Sequence, residues 1–417
     1  MNIKSLVGKM FFFLFAIYIL IFVNMRLEEQ IIPYGNFYVY LYIIALIALL
    51  IVFRNKPITL KTKSVSFKTF RLFIVYLIIF CFITYLEEPS GDLGEEMLAF
   101  SKYIVVAAIT VYFVVYFNLY RELLMAAFVG GSLLLLYEYA IAGFPLDILG
   151  RLGTFFSNIY IQRFRLSFNF SNFNFAGNIA ACMLLVFSLY FANFKAEKGK
   201  ITGKTLLLLA PMIFLAVVDL LVLLSSGSRN SMMTLIVFML ACIYFKVTDF
   251  DHISQKGKSI LKFFIVVFGA VTAYFSLFSS IMEVFSTSGR LNSFFINIPL
   301  VIRQNRLLEG LGIMNPGLFG RGHAGYIVDN YYLYVFMETG IIGLVMIAFL
   351  LSRICLSIRK IRIAENNSTV AVSAALIAWL VSGIGETCII YPFFPSSLIF
   401  FTIFLSFIEL DGKQERL

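Results

Sequence analysis

The fold class predicted by this sequence is all-α, a polytopic integral membrane protein, and three observations predict it. Of its 417 residues 61% are apolar and only 13% charged, about half the charged share of a soluble domain. The apolar residues fall in runs of the length that a helix needs to cross roughly 30 Å of hydrocarbon at about 1.5 Å per residue. The lysines and arginines are shared unevenly between the segments that join those runs. Together these exclude an ordinary soluble globule, a disordered tail, a collagen-like chain and a disulfide-stapled secreted module.

The hydropathy places twelve spans near 7–25, 37–53, 71–86, 97–117, 122–142, 174–194, 205–224, 230–246, 262–281, 327–352, 370–385 and 396–410. Lys4 and Lys9 precede the apolar run Met10 to Val23 of the first, and no small-residue cleavage site follows it, so it reads as an uncleaved span. Arg54 to Arg71, with six basic residues, follow the second, and the five acids of Glu87 to Glu96 after the third read as a solvated face. A long loop over 143–173 precedes the sixth span, and Lys195 to Lys204, with four basic residues, follow it. Ser225 to Asn230 form a short turn before the eighth, and a second long loop, 282–326, precedes the tenth. With the N-terminus in the cytoplasm, inside segments hold 23 of the 33 lysines and arginines and outside segments hold ten. Twelve spans put both termini inside, in accord with the positive-inside rule, in a single transmembrane domain over 1–417.

The net charge of +10 is therefore mostly a topology signal. Cytoplasmic lysines near anionic lipid headgroups need no nucleic-acid partner, and no nucleic-acid module is visible. The outside cations are a different population: nine arginines, Arg26, Arg151, Arg163, Arg165, Arg229, Arg290, Arg303, Arg306 and Arg321, against the single Lys102. Inside, lysine outnumbers arginine sixteen to seven. Arginine's planar fork matches phosphate bidentately, so its dominance on one face points to a phosphate or pyrophosphate ligand; the alternative is arginine snorkelling to the interface. The cysteines Cys81, Cys182, Cys242, Cys355 and Cys388 stand singly in apolar runs and read as packing. With two histidines, His252 and His323, a His-rich metal site cannot be built, and no metal or other cofactor is expected.

Helix connections in bundles usually take roughly two to eight residues, so the two long outside loops mark the working face. The densest polar text runs from Arg163 and Arg165 through Asn169, Asn172 and Asn174 to Gly177 and Asn178, amides alternating with phenylalanines. Amides satisfy hydroxyl pairs while rings cover the apolar faces of a sugar; helix capping with Phe in the bilayer interface is the other reading. Ser228-Arg229-Asn230 open the eighth span and Gly289-Arg290 lie in the second loop. An arginine beside a helix N-terminus makes an anion pocket, unless it pairs with a buried acid such as Asp219 or Glu138. Arg303 and Arg321 add cations to the same loop, where Glu309-Gly310-Leu-Gly312 and Asn315-Pro-Gly317 read as turns rather than a P-loop. Asn330, Tyr334 and Glu338 lie four apart on one helix face, with Asp329 and Tyr332 beside it. A glycosyl transfer from a phosphate-linked donor needs cations for the leaving pyrophosphate and a base for the attacking hydroxyl. Asp329 and His323 are the candidate bases; a surface position suits His323 equally, and Glu338 suits a structural pair.

In order, these motifs resemble the O-antigen ligase and polymerase superfamily. The pieces are Arg165 with Asn172, Asn174 and Gly177; Ser228 and Arg229; Gly289 and Arg290; Gly310 to Gly312; Asp329, Asn330, Tyr332 and Leu333; and Gly340 with Gly343. The resemblance implies a metal-independent glycosyltransferase of GT-C-like fold, acting on undecaprenyl-pyrophosphate-linked glycan donor and acceptor at the outer face of a bacterial inner membrane. It implies that Arg165, Arg229 and Arg290 hold the pyrophosphates and that Asp329 and Asn330 align the acceptor hydroxyl; the outside arginines and the polar text add Arg163, Asn172, Asn174, Arg303, Arg321 and Tyr332 as candidate substrate-binding residues. A flippase and a chain-length regulator are the partner proteins it suggests. The ligase branch usually carries His-Asn where this chain has Asp329-Asn330. That departure leans toward the Wzy-type polymerase, which moves a growing glycan onto the next lipid-linked repeat unit. Ligation to a lipid A core, a lipid-linked sugar flippase and a peptidoglycan-type polymerase are the competing classes; no repeated motif between the two halves favours transport.

Overall fold

The structure, a computed structural model, describes residues 3–33, 35–54, 64–87, 92–146, 166–170, 172–198, 203–247, 254–278, 290–312, 330–362, 367–386 and 388–414. Among these residues the chain is a helical bundle: α1 (Ile3–Asn24), α2 (Gly35–Phe53), α3 (Val65–Glu87), α4 (Asp92–Phe117), α5 (Tyr120–Ile141), α6 (Phe173–Lys198), α7 (Gly203–Ser226), α8 (Arg229–Lys246), α9 (Gln255–Phe278), α10 (Arg290–Arg303), α11 (Tyr331–Arg362), α12 (Asn367–Ser382) and α13 (Pro395–Gln414). A helix coincides with each apolar run, and nine of those described are long and apolar enough to cross a membrane. The chain is thus a helical protein of membrane-spanning type.

The helices differ from the hydropathic runs mainly at their ends, because intrahelical hydrogen bonds continue past the hydrocarbon into polar residues. α3 starts at Val65 and α9 at Gln255, α11 runs on to Arg362, and α4 begins at Asp92, inside the acidic loop. The second long loop is not wholly a loop. It contains α10, whose polar and apolar residues are too interleaved to register as a span.

α5 lies at the centre, packed against α1, α6 and α7. Adjacent glycines allow this: a Cβ at Gly130 would run into the backbone carbonyl of Ala16 on α1, and one at Gly131 would strike Met183 on α6. Small residues let backbones approach where lipid supplies no hydrophobic drive between helices. Aromatic contacts fill the rest of the core, including Tyr18 on Tyr42 with centroids 4.5 Å apart and Phe11 on Phe113 at 5.3 Å. α2 shows the outward side. Phe37, Ile44 and Ile51, seven apart, are 60, 62 and 57% exposed, while Val39, Tyr42, Leu46 and Leu49 are buried. An exposed stripe of large apolar side chains on a helix with no charge inside it is a lipid-facing stripe.

The bundle has two distinct ends. At one, Gly8 of α1 faces Leu119 and Glu122, Tyr120 meets Phe407 of α13, the Ser66 amide donates to Glu409 at 2.9 Å, and Arg121 lies over Phe194. α1 therefore begins, and α13 ends, at the same end. The opposite end carries the turn after α1, the 166–170 segment, the α7–α8 turn, the start of α11 and the α12–α13 connection.

Candidate functional site

The second end is knitted from segments far apart in sequence. Leu27 bridges Phe170, the Glu28 amide donates to the Asn169 carbonyl at 2.8 Å, and the Leu166 amide donates to the Ser225 carbonyl at 2.9 Å. The 166–170 segment thus lies between the turn after α1 and the turn that ends α7. Phe168 and Asn169 sit at φ +52 and +59°, which folds the segment tightly enough to reach both.

Ser228 and Arg229, singled out as an anion pocket, open α8 as anticipated. The Ser228 hydroxyl pairs with that of Ser231 at 2.8 Å instead of capping the helix amides. Arg229 is half-buried at the first position of the helix, where the aligned peptide dipoles favour an anion. Gly177 of α6 is the residue that admits this turn: a Cβ there would stand 2.5 Å from the Ser228 Cβ and 2.7 Å from the Ser226 Oγ. The buried acid proposed as an arginine partner, Asp219, takes the Ser132 hydroxyl at 2.7 Å instead.

Three of the predicted substrate groups hold the scaffold. Asn172 is the N-cap of α6, its Oδ1 accepting from the Asn174 amide at 2.9 Å. Asn330 is the N-cap of α11: its Oδ1 accepts from the Leu333 amide at 2.9 Å while its Nδ2 donates to the Ile384 carbonyl at 2.8 Å. Tyr332 donates its hydroxyl to the Leu380 carbonyl at 2.8 Å. With the Tyr331 amide on the Gly383 carbonyl and Asn230 Nδ2 on that of Ser382, these donors satisfy the carbonyls that a buried helix end leaves without intrahelical partners. Asn174 is half-buried beside Phe175, whose ring stacks on Phe394 at 4.6 Å.

α11 breaks at Gly340, which adopts φ +62° and ψ −160°, a region that essentially only glycine enters. The 307–312 segment closes the gap: the Leu311 and Gly312 amides donate to the Met337 and Glu338 carbonyls at 2.7 and 2.9 Å, and the Ile341 and Ile342 amides donate to the Leu307 and Leu308 carbonyls at 3.0 and 3.2 Å. Gly340 lies nine residues along α11 from Tyr331, roughly 14 Å at about 1.5 Å per residue. This part of the second long loop therefore enters the bundle instead of lying over it. The Gly-Leu-Gly of Gly310 to Gly312 and the Gly340 motif are the two halves of one junction.

Arg303 is exposed in the last turn of α10, where a cation suits the negative end of the helix, and Arg290 opens the same helix. They stand thirteen positions apart along the helix, roughly 20 Å at about 1.5 Å per residue. Arg306 pairs with Glu309 at 3.4 Å. Arg163, Arg165, Arg321, His323 and Asp329 lie outside the described residues. Among those described, no three His, Cys, Asp or Glu side chains lie close enough to hold a metal ion.

Sequence reasoning missed two residues here. Glu386 is 5% exposed in the α12–α13 connection, and its amide donates to the same Ser382 carbonyl as the Asn230 side chain. Arg26 lies over the Phe393 ring at 5.1 Å. An acid within the apolar text of 383–394 was the available signal for the first; the second was one of nine outside arginines with no motif around it. No family model and no curated protein sequence matches this chain.

Proposed function

We propose that the chain is a metal-independent glycosyltransferase that polymerises lipid-pyrophosphate-linked oligosaccharide repeat units, such as those of O-antigen, capsule or exopolysaccharide. In this reading it spans a bacterial inner membrane twelve times, with both termini cytoplasmic and the site on the outer face. The observation that carries the reading is the convergence at one end of the bundle of the half-buried Arg229 at a helix N-terminus, the amide and aromatic text of 166–178, and the start of α11 that follows Asp329. Phosphate chemistry calls for the first, sugar recognition for the second and a hydroxyl-activating base for the third. The shared end of the α1 start and the α13 finish supports an even number of crossings.

In the proposed step, a sugar hydroxyl of the incoming lipid-linked unit attacks the anomeric carbon of the growing glycan. The carbon–oxygen bond to the pyrophosphate breaks, the lipid pyrophosphate leaves with the bonding electrons, and the hydroxyl proton passes to a base. Arg229, with Arg165 and Arg290, stabilises the departing charge. Asp329 or His323 takes the proton, and Asn330 and Tyr332 position the start of α11 rather than touching sugar.

Deleting the gene and running surface and lipid-linked glycans on a gel tests the reading. Loss of the long ladder with survival of a single capped repeat unit, restored by the wild-type chain and unaffected by EDTA in membranes, is expected. Long polymer on its lipid carrier but absent from the final acceptor would make the chain a ligase. Accumulation of repeat units on the cytoplasmic face would make it a flippase.

A further inference from the structure

Arg26 stands in the turn after α1, at the same end of the bundle as the site, and the reaction above gives it no part. Its guanidinium lies 5.1 Å from the centroid of Phe393 and 5.9 Å from that of Phe22. Tyr391 and Tyr18 lie within electrostatic reach of it. Burial pulls this guanidinium below its ordinary value, yet an arginine remains charged at any physiological pH. Its Nε is shut off from solvent and has no acceptor. Glu28 and Glu29 in the same turn expose their side chains, while their backbones bond to Asn169 of the 166–170 segment.

A cation drawn out of water without an anion is costly, and aromatic faces offset only part of that cost. The residue as a whole is half-buried rather than sealed, so part of its surface remains accessible. Its position relative to Arg229 is also bounded. The segment that pairs with Leu27 at Phe170 pairs with Ser225 at Leu166, four residues away, which spans at most about 14 Å even when fully extended. Two cationic positions thus flank one short segment at one end of the bundle.

We propose that Arg26 is the phosphate-binding residue of a second lipid-phosphate subsite, beside the one at Ser228–Arg229. The inference rests on the reading of the chain as an enzyme with two lipid-linked substrates, each of which carries its own pyrophosphate. Its ligand chemistry is a phosphate ester on an apolar chain, held by the guanidinium at the edge of a water-poor aromatic wall. The polyprenyl carrier and an ordinary phospholipid share that chemistry, and the test separates them.

Purified full-length protein in detergent is titrated with undecaprenyl phosphate, phosphatidylglycerol or inorganic phosphate, with the thermal unfolding midpoint as the readout. The wild type is stabilised by undecaprenyl phosphate; Arg26→Gln and Arg26→Ala weaken the apparent affinity about tenfold or more, and Arg26→Lys keeps part of it because the charge remains without the fork. Arg229→Ala retains the part that depends on Arg26. Should Arg26→Ala not fold, Arg26→Gln, which keeps most of the side chain's length, carries the comparison. Unchanged affinity in Arg26→Gln overturns the proposal. Equal stabilisation by phosphatidylglycerol overturns the substrate role in favour of a bilayer headgroup, and equal stabilisation by inorganic phosphate overturns the requirement for a lipid. Arg26-dependent binding of undecaprenyl phosphate in a chain whose deletion leaves the ladder intact upholds the subsite and refutes the polymerase alone.

Discussion

The Asn330 amide has both of its ends engaged, one on its own helix and one on a carbonyl 54 positions away. Arg229 is half-buried at the first position of α8. Asn330 is thus tied into the scaffold, and substitution separates it from the role proposed for Arg229. Asn330→Ala loses a cap, about 1 kcal/mol, and leaves the Ile384 carbonyl unpaired, roughly 1–3 kcal/mol more, so the unfolding midpoint in detergent falls. Asn330→Asp keeps the cap acceptor, loses the donor and falls less. Arg229→Ala leaves the protein in the membrane and abolishes the ladder, with poor rescue by Arg229→Lys because the bidentate fork is gone. A normal ladder in Arg229→Ala would refute its pyrophosphate role. The asparagines could not be sorted in advance because an N-cap is a local pattern, whereas the carbonyl that takes the other end of the amide belongs to another helix. Asn172 is the milder case, since its cap bond to Asn174 is local and was one of the two readings open from the sequence.

At the scale of elements, α11 was legible as a long apolar run and the Gly310–Gly312 stretch as a turn, but not their union. The helix is interrupted by one glycine at a conformation unfavourable for other residues, and the four backbone bonds around the gap come from the 307–312 segment. A Cβ at Gly340 would also run into the Leu308 carbonyl. Gly340→Ala is therefore expected to cost about 1–3 kcal/mol in backbone strain, with the clash in addition. Its unfolding midpoint should drop, and limited proteolysis should cut near 304–312 sooner than in the wild type. Equal protease resistance would show that the junction tolerates a side chain. The same reasoning explains why hydropathy overlooked α10: its 14 residues mix Arg290, Asn292, Ser293 and Asn297 with apolar ones, which lowers the window average without preventing a helix.

For the whole molecule, the membrane class and the alternating placement of loops rest on quantities that add up along the chain. Impermeant maleimide should label Ser157→Cys and Ser286→Cys in spheroplasts without lysis, and Thr62→Cys and Thr202→Cys only after lysis; the five native cysteines, buried or half-buried, leave a low background. The opposite pattern would invert the topology and move the candidate site to the cytoplasm. Composition, run length and charge asymmetry by themselves determined that this is a helical membrane protein with its lysines concentrated in alternate connections, because a span must be apolar over its whole length wherever its neighbours lie. Which of the polar residues are structural was decided only by the tertiary structure. A hydrogen bond from Asn230 to Ser382, from Asn330 to Ile384 or from Leu311 to Met337 depends on which helices are neighbours, and that is set by close approaches such as Gly130 to Ala16 and Gly177 to Ser228, which no single run encodes.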